Sequence, residues 1–131
     1  MCLDLRVVLP RGSKDKLSAK RLAALSGLHV TGTRTDDGLT AFHFAADPGC
    51  SCGLLAEGFQ INALAWPLTP QAASALAKAL RTIASAYPSF TFSSAWLGSE
   101  TTSTRSTAQL AEVLEELLAG TLKANLLRQV Q

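Results

Sequence analysis

The apolar and polar positions of the chain change rhythm several times, and each change predicts an element. Leu3, Leu5 and Val7 alternate with Asp4 and Arg6, which predicts a strand over Leu3–Leu9, stopped by Pro10, Gly12 and Ser13. Leu17, Leu22 and Leu25 then suit a short helix over Ser18–Ser26, with Gly27 as its C-terminal stop. His29–Thr35 and Leu39–Ala46 are two runs of β-forming residues joined by Asp36-Asp37-Gly38, a sequence that supplies the positive φ of a tight hairpin. Phe42 and Phe44 share one face of the second run, which is expected to be the buried one.

Residues 47–68 have no clear period. A compact domain seldom carries so long an idle loop, so this stretch is expected to be functional, to be disordered, or to hide a short element. Thr69-Pro70 then reads as a cap followed by proline in the first helical turn. Leu76, Leu80, Ile83 and Tyr87 form the stripe of that helix, and Pro88 ends it. Phe90–Leu97 reads as a strand, Gly98–Arg105 as a polar loop, and Ser106–Gln109 as a capping box. Leu110, Val113, Leu114, Leu117 and Leu118 mark the buried face of a last helix ending at Gly120, and Thr121–Val130 is expected to return as a strand.

The order βαββαβ followed by αβ predicts an α/β (α+β) fold. Its expected form is a ferredoxin-like core with an extra C-terminal αβ unit, a mostly antiparallel sheet covered by helices. At 131 residues the chain is expected to be a single domain spanning 1–131. A fold of this kind hosts many activities, so it assigns none by itself.

Composition narrows the picture. The chain is 47% hydrophobic and 17% charged, a globular balance, and its formal net charge of +2 is too small to demand a polyanionic partner. No apolar run approaches the roughly 20 residues that cross a bilayer, and the N-terminal residues lack the pattern of a secretory signal. Three cysteines, an odd number, suit free thiols in a reducing compartment, so a cytoplasmic location is expected.

The chemistry with most character lies in Asp47-Pro-Gly-Cys-Ser-Cys-Gly. Two thiols one residue apart, Cys50 and Cys52, can face one point and suit a soft metal or thiol exchange. If the first strand pairs antiparallel with the third, Cys2 falls near the same end, so Cys2, Cys50 and Cys52 are candidate metal ligands. Zinc is the candidate ion, with Asp47, His43 or Glu57 completing the set. Structural cysteines with no cofactor are the competing reading. For nucleophilic chemistry at Cys52, His43 or Glu57 would be the base. Trp66, Phe59 and Trp96 could line a pocket beside these thiols, although large aromatics more often anchor a loop.

A second cluster, Arg11, Lys14, Lys16, Lys20 and Arg21, is a candidate anion site at the entry to the first helix. It lacks the second glycine of a P-loop and the Gly-Lys-Ser/Thr pair, and a solvated basic face is the simpler reading. RNA-recognition domains stack bases on aromatics of the third strand; here Leu39 and Ala41 hold those positions, which argues against nucleic acid. The leading expectation is a binding or interaction module with residues 47–68 as its working surface and a protein or small molecule as its partner. Open sheet edges also suit a homodimer.

Overall fold

A computed structural model describes residues 3–47, 51–56, 65–96, 104–123 and 126–131. In chain order the elements are β1 (Leu3–Val8), α1 (Ala19–Ser26), β2 (His29–Arg34), β3 (Thr40–Ala45), a 3-10 turn (Ser51–Leu54), β4 (Ala65–Trp66) and α2 (Pro70–Ala86). They continue with β5 (Phe90–Trp96), β6 (Thr104–Ala108), α3 (Leu110–Ala119), β7 (Leu122–Lys123) and β8 (Leu126–Val130).

The expected stop and start signals operate locally. Ser18 caps α1 by accepting from the Arg21 N–H, and Gly27 ends it in the left-handed region at φ 80°. Thr69 caps α2 in the same way, accepting from Ala72 N–H, with Pro70 in the first turn. Gly38, at φ 80°, turns β2 back into β3, and its N–H donates to Thr35 O.

The sheet has six strands in the order β2-β3-β1-β5-β8-β6, and β4 pairs with β7 in a separate two-stranded sheet. All pairs in the main sheet are antiparallel except β6 with β8. The architecture is therefore mixed α/β, with a mostly antiparallel sheet. Its strand order differs from the four-stranded ferredoxin-like order, because β8 and β6 extend it past β5.

Two boundaries differ from expectation. Ser106–Gln109 is not a capping box: Ser106 lies within β6, and Gln109 is the N-cap of α3 with no side-chain bond. The cause is tertiary, since residues 104–108 find a parallel partner in β8 that outweighs local capping preference. The final stretch divides into β7, which pairs with β4, and β8, which joins the main sheet.

One face of the sheet is the core. Leu3, Leu5 and Val7 pack there with Phe42, Phe44, Phe90, Phe92 and Val130, beneath Leu22 of α1, Leu76, Leu80 and Ile83 of α2, and Val113 and Leu117 of α3. The opposite parity carries Asp4, Arg6, Ala41, His43, Ala45, Ser93 and Ala95. Among the described residues, no helix is long and apolar enough to cross a membrane.

Candidate functional site

The loop after β3 returns at once to the sheet. Ser51 Oγ donates to Phe44 O and accepts the Leu5 N–H at 2.9 Å. Leu5 and Phe44 are partners in the β1–β3 pair. The serine hydroxyl therefore bridges the two strands where a direct backbone bond would otherwise close the ladder. Next along β1, the Leu3 N–H donates to Cys52 Sγ at 3.2 Å. Two side chains of the 3-10 turn thus satisfy N–H groups of β1 that β3 does not bond directly, which leaves fewer buried donors unpaired.

This geometry gives Cys52 a structural part. It is half-buried and packs against the core. Cys2, Cys50 and Glu57, as well as Phe59, lie outside the described residues, and Asp47 is exposed. Among the described residues, no group of three or more His, Cys, Asp and Glu side chains gathers to hold a metal. His43, the candidate base for Cys52, stands on the face of the sheet opposite the core.

The flanks of the long loop are fastened together. Leu55 bridges Leu68, Ala56 N–H donates to Pro67 O, and Thr69 N–H donates to Leu54 O. Trp66 pairs with Leu122 of β7 and is wholly buried in the core, so it anchors the strap. Where the strap meets the helices there is a cavity of about 310 Å³. It is lined by Ser26, Gly27 and Leu28 after α1, by Ala46, Gly53 and Leu54 of the loop, and by Thr69, Gln71, Ala72 and Ala75 of α2 and its cap. Gly53 belongs there for steric reasons: a Cβ on it would stand 3.1 Å from the Ala46 Cβ.

A polar cluster that the sequence reading did not assemble lies on the other face. His43 Nδ1 and Asp4 Oδ1 are 2.6 Å apart, and Arg6 Nε is 3.4 Å from Asp4 Oδ2. The Asp4 side chain is 3% exposed, against 19% for His43 and 26% for Arg6. A buried carboxylate is thus held by two groups that still reach solvent, an arrangement that offsets its desolvation. Parity was the available signal: Asp4 interrupts an apolar strand, and His43 sits between two phenylalanines. Ser93, cross-strand from Arg6, is buried, and its hydroxyl has no partner among the described residues.

A second buried charge went unread within the last strand. Arg128 donates through Nη1 to both carboxylate oxygens of Glu116 on α3, at 2.9 and 2.8 Å, while its Nε and Nη2 find no partner among the described residues. Glu116 also accepts the Lys123 N–H, so the carboxylate joins α3 to β7 and β8.

The basic segment is partly committed to structure. Lys16 Nζ donates to Ala86 O at the end of α2, where a cation complements the helix dipole. Tyr87 Oη donates to Lys14 O and accepts the Lys16 N–H. Arg11 and the side chain of Lys14 are exposed. Comparison with known families, curated proteins and solved structures returns no match for the chain.

Proposed function

We propose that the chain is a binding module whose working surface is the base of the 47–68 loop, and that it takes a small uncharged ligand there. The observation behind this reading is the cavity of about 310 Å³ between the loop, the end of α1 and the start of α2. Its volume is at the lower end of the range for small-molecule sites. Among the described residues none that lines it is ionisable, and its mix of aliphatic side chains with Ser26, Thr69 and Gln71 suits a neutral molecule with one apolar side. The strap bonds that fasten residues 54–56 to 67–69 support a pre-formed site, which limits the ordering cost of binding.

Two finer readings belong to this proposal. The strip β2-β3-β1-β5, antiparallel throughout and joined by α1 and α2, supports a ferredoxin-like core. The odd cysteine count supports a cytoplasmic setting.

The test is a thermal-shift screen of neutral, metabolite-sized compounds against the wild type and Ala75→Leu. Ala75 lines the cavity and is half-buried, so leucine fills the space without entering the core. A ligand at a hundred times its Kd stabilises the wild type by about 2.7 kcal/mol and leaves Ala75→Leu unmoved. Compounds that stabilise both proteins equally, or none that stabilises the wild type, would overturn the reading.

A further inference from the structure

The hairpin fixes which backbone groups of β2 face outward. Thr35 N–H donates to Leu39 O, and Leu9 N–H donates to Thr40 O, each at 2.9 Å. Thr40 thus turns its carbonyl to β1, so the Arg34–Thr40 pair is a non-hydrogen-bonded one. Bonded and non-bonded pairs alternate along antiparallel strands. His29, Thr31 and Thr33 therefore bond inward to β3, while Val30, Gly32 and Arg34 present their N–H and C=O groups to the sheet edge.

Arg34 is the only permanently charged side chain on this edge strand. β2 is the outermost strand, Thr31–Arg34 are exposed, and the strand contains no proline and no lysine. An edge of this kind is a template for another strand.

We infer that β2 pairs with β2 of a second copy of this chain, antiparallel, with the two-fold axis at Gly32. That register uses every outward group of the strand: Gly32 meets Gly32 of the partner subunit, and Val30 meets Arg34 of the partner subunit, twice over. On the other parity Thr31 falls opposite Thr33 of the partner subunit, a β-branched pair that stabilises antiparallel sheets. No like charges within β2 stand opposite each other. The axis runs normal to the sheet, so both copies of α1 lie on the same face of the joined sheet.

Sedimentation equilibrium over a wide concentration range tests this on the full chain. The wild type reaches a mass twice the 13.8 kDa of one chain. The double variant Thr31→Lys, Thr33→Lys sets lysines against lysines across the seam and halves that mass, with unchanged far-UV circular dichroism. Gly32→Pro, which removes the outward N–H at the axis and no bond to β3, also yields monomer. Should the proline variant fail to fold, the lysine variant decides. Thr107→Lys, on the exposed strand at the opposite edge, stays dimeric. A wild type that is monomeric throughout, or edge variants that keep the doubled mass, would overturn the inference.

Discussion

The two faces of the sheet are buried by different means. Toward the helices, burial comes from size: Leu5, Phe44 and Phe92 are wholly buried beneath α1, α2 and α3. On the other parity it comes from smallness and charge pairing: Ala41, Ala45, Ala95 and Ser93 are buried between taller neighbours, and Asp4 is enclosed by His43 and Arg6. The first face resists water because it fills space. The second resists it only while specific polar groups stay matched, since a buried carboxylate without partners is far less stable than an unfilled gap of similar size.

Substitutions can break that contrast. The largest effect is expected on the packed face, where Phe92→Ala lowers unfolding stability by about 3–5 kcal/mol in urea denaturation. On the other face Asp4→Ala lowers it by about 2–3 kcal/mol, less than a fully buried pair because Arg6 and His43 reach solvent. Asp4→Asn, which keeps an acceptor, recovers part of that loss; equal losses in the two variants would show that shape, not pairing, matters there. Ser51→Ala is expected to lose about 1–3 kcal/mol, because the Leu5 N–H and Phe44 C=O lose their shared bridge inside the fold. Cys52→Ala, which removes a weaker sulfur acceptor from a half-exposed position, falls within about 1 kcal/mol of wild type. A larger loss at Cys52 than at Ser51 would reverse this assignment.

Much of the first face was legible in the sequence. Alternation in Leu3–Val7, the phenylalanine pairs and the α2 stripe each announce their buried side, and Gly27, Gly38 and Thr69-Pro70 mark their turns through backbone preference. The second face was less legible. Its residues are small or polar, and their meaning depends on strand register, which juxtaposes Asp4 with His43 across a separation of 39 residues. The strand over 104–108 carries no hydrophobic alternation, and only pairing with β8 makes it extended. Ser51 was hidden for the same reason. Between two cysteines a serine attracts no notice, yet it bridges β1 and β3 and, with Cys52, ties the loop to β1. The cavity could not be read at all, since it arises where three separate segments meet.

Trp66 gives the strap an optical signature. Its indole is sealed within the core where β4 meets β7, in the same strap that borders the cavity. In a protein carrying Trp96→Phe, its emission reports whether the strap is seated. Blue emission that turns red before the far-UV signal of the sheet is lost would identify the strap as a unit that opens on its own. Emission and backbone signal lost together would mean that the strap and the sheet melt as one body.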